Sequence, residues 1–349
     1  MPPKSKADRT GYQTFKKDLA SGSIGRLYIF CGEEAYLRDH YLGRMKKMLL
    51  PAGMEQFNCH IFQGRDLNVS TLSHAVDTLP MMSGRTMVVV SDYDLYKAPA
   101  DTRDALTALL SQLPDYCCLV FVYDVIEYRP DARTRLAAAI KEHGSVVKFQ
   151  RQEQGDLVDW IHRRFRALDR EIDSRDAQYL IFLCGDLMNG LISEIGKIGA
   201  YAKGRRVTRE DIDAVAVAQL DAVVFQMTDA IARNDFDRAA AVLGELLQMQ
   251  EPPIKLLAAM GKHFRQLYSA RLALEYGKKA GYVAELWSMR SAYPAEKLMD
   301  AARRFSLPWC RNAVIRCAQT DLAMKSVTGA DAKQLLVSLL LELAQERTV

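Results

Sequence analysis

The chain has 349 residues, 49% of them hydrophobic and 26% charged, and a formal net charge of +4. That is the composition of a globular protein, which excludes a disordered or fibrous chain, and at roughly 100–200 residues per domain it predicts two or three domains. So small a basic excess excludes a protein whose affinity for nucleic acid comes from bulk charge. No apolar run approaches the roughly 18 residues of a membrane span. The opening MPPKSKADRT lacks the apolar core of a signal peptide, so a cytoplasmic location without membrane contact is expected.

In the first 150 residues, short apolar runs alternate with helical patterns. Strands are predicted over 26–31 (RLYIFC), 59–62, 86–91 (TMVVVS), 117–123 (CCLVFVY) and 145–149. Several of these runs are nearly apolar throughout, as in a parallel sheet covered on both faces. Between them, Leu37, Tyr41, Met45 and Met48 form one stripe of a helix stopped by Pro51, and helices are predicted over 71–76, 102–113 and 132–142. Strand alternating with helix reads as an α/β domain. After residue 150 the strands stop. Helices over 156–168, 174–183 and 189–202, then a capping box at Thr208–Asp211, suggest a small all-α domain over 151–214. Seven further helices, over 223–232, 236–249, 254–276, 282–288, 295–305, 308–324 and 330–345, fill an all-α domain over 215–349. Pro252-Pro253 and Gly277 punctuate them.

Sites for chemistry are missing where they would be expected. A nucleotide loop after the first strand would need Gly-Lys followed by Ser or Thr, because backbone amides and the lysine hold the phosphates. Here that place reads Phe30-Cys31-Gly32-Glu33-Glu34-Ala35-Tyr36-Leu37. Both carboxylates are expected to face the phosphate position and to oppose it. Asp92 and Asp124, at strand ends, read as turn or cap residues rather than magnesium ligands. The six histidines and seven cysteines lack the close spacing of a metal site, and the cysteines read as buried reduced thiols. The histidines read as surface or partly packed residues. No catalytic residue and no cofactor are predicted.

One segment, Thr78-Leu79-Pro80-Met81-Met82-Ser83-Gly84-Arg85, sits between a helix and the strand over 86–91. Pro80 ends the helix and Ser83-Gly84 supports a turn. Two adjacent apolar side chains are left there, either as adaptable filler against the sheet or as a plug for a partner's pocket. Basic clusters at Arg163-Arg164 with Arg166, at Lys203 with Arg205-Arg206 and at Arg303-Arg304 read as solvated faces, with a phosphate-contacting role the alternative.

In chain order, these motifs resemble the bacterial DNA polymerase III delta-subunit family of clamp-loader components. They are residues 27–37 (LYIFCGEEAYL), 78–85 leading into Met87-Val88-Val89-Val90, Asp156-Leu157 with Trp160-Ile161, and Glu194-Ile195 with Lys197. Phe225 with Asp229-Ala230-Ile231, the helix around Phe264-Arg265-Gln266-Leu267, and Asp321-Leu322 with Lys325 follow. The resemblance implies a degenerate AAA+-type ATPase-like α/β domain over 1–150, a lid-like helical domain over 151–214 and a C-terminal helical collar over 215–349. It implies a subunit that binds and opens the ring-shaped sliding clamp, the beta subunit, without binding ATP or having an active site of its own. As a member of the holoenzyme it would serve a DNA-directed DNA polymerase, a nucleotidyltransferase. Leu79, Pro80, Met81 and Met82 fall at the family's clamp-binding positions, where a leucine or phenylalanine is common in place of the methionines. The implied partners are the clamp, the tau/gamma and delta prime subunits through the collar, and primed DNA within the assembled loader. An ATPase with a divergent loop and a stand-alone helical DNA-binding protein are the competing readings.

Overall fold

The computed structural model describes residues 6–326 and 331–348, and the chain divides into two compact units, Met1–Gln152 and Glu153–Val349. The first unit holds β1 (Leu27–Cys31), β2 (Cys59–Gln63), β3 (Thr86–Ser91), β4 (Cys117–Val122) and β5 (Ser145–Lys148) in one sheet of order β2-β3-β4-β1-β5. Every pairing is parallel, in registers such as Ile29 with Phe121 and Val89 with Val120. Its α-helices are α1 (Lys6–Ser21), α2 (Ala35–Leu49), α3 (Glu55–Asn58), α4 (Val69–Asp77), α5 (Ala100–Ser111) and α6 (Arg135–His143).

The period-two geometry of strands divides the core into halves. Leu27, Ile29, Val88, Leu119 and Phe121 pack with Leu72, Leu106 and Ile140 of α4, α5 and α6. Tyr28, Phe30, Met87, Val89 and Val120 pack on the other face, with Phe15 of α1 and Tyr41 and Met45 of α2. Both faces are covered, so β1 and β4 are apolar at every position and β3 over 87–90. Edge strand β2 is half-wet, and its Ile61 is exposed.

Two features depart from the expected pattern. Helix α1 has only a sparse stripe of Tyr12, Phe15 and Leu19, yet Phe15 and Leu19 are buried, and Phe15 meets Phe30 edge-on at 5.2 Å. In α2, Tyr41 and Met45 are buried but Met48 is exposed, and Leu49 packs against the core in its place.

The second unit is helical: α7 (Gln154–Arg166), α8 (Ser174–Cys184), α9 (Met188–Tyr201), α10 (Arg209–Val215), α11 (Leu220–Ala232), α12 (Phe236–Gln248), α13 (Pro253–Glu275), α14 (Ala280–Leu286), α15 (Ala292–Ala302), α16 (Leu307–Ser326) and α17 (Ala332–Thr348). The start expected for the last helix, Ala330, lies outside the described residues. The Thr208–Asp211 capping box forms as its spacing predicts, each side chain bonding the other residue's backbone N–H at the start of α10. Proline at the first position of α13 needs no donor and suits the helical φ. Along α13, Leu256, Met260, Phe264 and Leu267 enter a core shared with α11, α15, α16 and α17. His263 is a correction to the surface reading: it is buried beside Phe225, and burial lowers its pKa from 6.5 to about 4. All seven cysteines are free; six are buried and Cys59 is half-buried.

Candidate partner-binding site

The turn before β3 leaves three apolar side chains uncovered within four residues. Leu79, Met81 and Met82 are 72%, 54% and 81% exposed, while Pro80 is half-buried. Their backbone is nonetheless held. Asn58, fully buried at the end of α3, accepts a hydrogen bond from the Met81 N–H at 2.7 Å. Its Nδ2 donates to the Met81 carbonyl at 2.9 Å and to the Met54 carbonyl at 3.1 Å. One amide side chain thereby replaces a strand partner for Met81 and satisfies its backbone.

Both flanks of the turn are fixed as well. Thr78 Oγ1 donates to the His74 carbonyl at 2.8 Å, closing the end of α4. On the other side, the Arg85 guanidinium donates to the carbonyls of Ile24, Gly25 and Cys117, locking the entry to β3. Met82 has φ +51°, a left-handed conformation that costs a side-chain-bearing residue about 1–2 kcal/mol. The turn therefore spends conformational energy to present a methionine to solvent, rather than folding it onto the sheet as filler.

At the opposite end of the sheet, the loop after β1 is closed on itself. Gly32 has φ +114°, and a Cβ there would lie 2.4 Å from the Phe149 carbonyl oxygen, so glycine is required. The Glu34 N–H donates to that same carbonyl at 2.9 Å. Glu33 accepts from Arg151 Nε at 2.6 Å, at the mouth of a cleft of about 440 Å³. The expectation that both carboxylates face this cleft is half right: Glu34 is 1% exposed and turned inward. Buried Arg38 of α2 donates to the Tyr123 carbonyl and the Asp124 carboxylate. Asp92 Oδ1 accepts from the backbone N–H groups of Asp124, Val125 and Ile126, so it staples a turn as its position suggested.

Among the described residues, no group of three or more His, Cys, Asp or Glu could hold a metal ion, and no single helix is long and apolar enough to cross a membrane. Sequence reasoning singled out Leu79 to Met82 but missed Asn58. Its partner lies 23 residues away, and a lone asparagine before a strand carries no local signal.

The family model "DNA polymerase III, delta subunit" matches residues 28–150, and "DNA polymerase III delta subunit, C-terminal domain" matches residues 221–343. DNA polymerase III subunit delta of Bacillus subtilis (strain 168) is 24% identical over 334 residues, covering 93% of this chain and 94% of the relative. Probable DNA polymerase III subunit delta of Aquifex aeolicus (strain VF5) is 19% identical over 318 residues, covering 89% of each. Among solved structures, the Bacillus subtilis DNA clamp loader delta protein superposes with a TM-score of 0.53 at 21% identity, covering 96% of this chain and 99% of that one. One family match falls in each structural unit and together they take in well over half of the chain, which belongs to the DNA polymerase III delta-subunit family of clamp-loader components.

Proposed function

We propose that the chain binds the ring-shaped sliding clamp through Leu79, Met81 and Met82, angled by Pro80, and opens the ring without binding ATP itself. The observation that carries this reading is the pairing of exposure with restraint: three bare apolar side chains on a backbone clamped by buried Asn58. Fully burying each such side chain in a partner contributes about 1.5–3 kcal/mol. A turn already held in place loses little further entropy on docking. Opening requires tighter binding to the sprung ring than to the closed one, because equal affinity would shift no equilibrium.

The nucleotide-free reading rests on the loop after β1. The Glu34 amide that could meet a phosphate is spent on Phe149, and Glu33 adds negative charge at the cleft mouth. Residues 151–214 act as a lid-like element and residues 215–349 as the collar that joins the tau/gamma and delta prime subunits. The assembly places the clamp on primed DNA in the cytoplasm. A fluorophore pair across one interface of the clamp ring tests the opening step. Adding the chain without nucleotide should separate the pair; an unchanged signal with demonstrated binding would leave a tether that does not open the ring.

A further inference from the structure

One end of the helices over 153–214 gathers cations from two separate stretches of chain. Arg163, Arg164 and Arg166 occupy the last turn of α7. The loop that follows is tied to the loop 202–207 by a parallel bridge, with the Glu171 N–H donating to the Arg205 carbonyl and the Val207 N–H to the Glu171 carbonyl. That bridge brings Lys203, Arg205 and Arg206 to the same end. Arg170 is fixed between them, donating to the carbonyls of Gly199 and Ala202 at the end of α9. Arg166, Arg170 and Arg205 line an open cleft of about 640 Å³ together with Asp169 and Glu171.

The carboxylates present do not neutralise this surface. Glu171 pairs with Arg205 at 2.7 Å and Asp173 pairs with Arg206. Arg163, Arg166 and Lys203 are exposed and have no carboxylate partner among the described residues. Basic residues in a last helical turn complement the helix dipole, which accounts for α7 but not for the cations of the second loop. By contrast, Arg303 and Arg304, the third basic cluster in the sequence, pair with Asp300 and Asp229.

We propose that this surface binds the phosphodiester backbone of nucleic acid. Guanidinium groups match phosphate oxygens two at a time, and a linear polyanion fits cations strung along a helix end and across to a bridged loop. Such contacts position a strand without reading its sequence. The inference stands on this surface alone and is independent of what Met81 and Met82 meet.

Fluorescence anisotropy of a labelled oligonucleotide with the full chain tests it, read as a function of salt. Wild-type affinity should fall steeply as salt rises from about 50 to about 200 mM. The variant Arg163→Glu/Arg166→Glu/Lys203→Glu should bind at least about tenfold more weakly at low salt, with the salt slope reduced by roughly one for each cation. The variant Lys278→Glu/Lys279→Glu/Lys333→Glu carries the same change in net charge at exposed positions elsewhere and should bind as wild type does. Thermal unfolding shows that each variant is folded. Absence of wild-type binding at low salt, or equal losses in both variants, would overturn the proposal. Preference for poly-glutamate over the oligonucleotide would also overturn it, by assigning the surface to an acidic protein.

Discussion

At the C-terminal end of β1, residues 32–34 turn their polar groups to partners within the unit; at the N-terminal end of β3, residues 79–82 leave their apolar groups to solvent. The first loop pairs the Glu34 amide with Phe149, Glu33 with Arg151, and Arg38 with Asp124. The second places Met82 at 81% exposure and anchors the backbone beneath it. A loop that spends its Glu34 amide inside the fold and sets the Glu33 carboxylate beside the cleft offers little to an incoming phosphate. A rigid turn with uncovered apolar area has something left to bind with. One parallel sheet thus carries an internally bonded loop at one end and an uncovered apolar turn at the other.

The comparison breaks first at Gly32. Gly32→Ala puts a Cβ against the Phe149 backbone at a left-handed φ and should cost about 3 kcal/mol or more in urea unfolding. Clamp affinity of the folded fraction should stay unchanged, since the plug is at the other end of the sheet. Next comes Asn58→Ala, which strips both side-chain bonds from the Met81 backbone and leaves its part-buried N–H and carbonyl without that partner. A stability loss of about 1–3 kcal/mol is expected, and clamp binding should weaken about tenfold because the turn must be ordered on docking.

These two sites differ in how far the sequence discloses them. The central strands β1, β3 and β4 were legible because their apolar runs are buried on a sheet with both faces covered, and 86–91 has the predicted bounds. The Gly-Glu-Glu turn and the Leu-Pro-Met-Met run were also visible as local departures from pattern. The hidden parts depend on distant partners. Asn58 matters through distant Met81, Glu34 turns inward where sequence alone cannot assign a side, and α1 is amphipathic through the sparse stripe of Tyr12, Phe15 and Leu19.

His263 supplies a contrast outside both ends. Burial holds its folded pKa at about 4, against 6.5 when unfolded, so the neutral form is the one that packs. Its contribution is complete above pH 6.5 and is lost as the pH falls toward 4, because the unfolded chain takes up a proton that the fold excludes. Urea unfolding across that window should show stability falling with acid, with a shallower fall in His263→Phe. The smallest effect is expected at Met82→Asn. Asparagine tolerates the left-handed conformation, so stability should rise by about 0.5 kcal/mol, while loss of the apolar tip weakens clamp binding. A variant that is both more stable and a poorer binder would separate the strain at Met82 from the fold.

Calorimetric titration of the chain into the sliding clamp of its own organism, without ATP, tests the central claim most directly, with Met81→Ala/Met82→Ala run beside it. The account predicts tight wild-type binding, a loss of about 100-fold or more in the double variant, and unchanged thermal stability. Wild-type affinity retained by a folded double variant would move the site away from this turn, and no binding by the folded wild type would contradict the account outright.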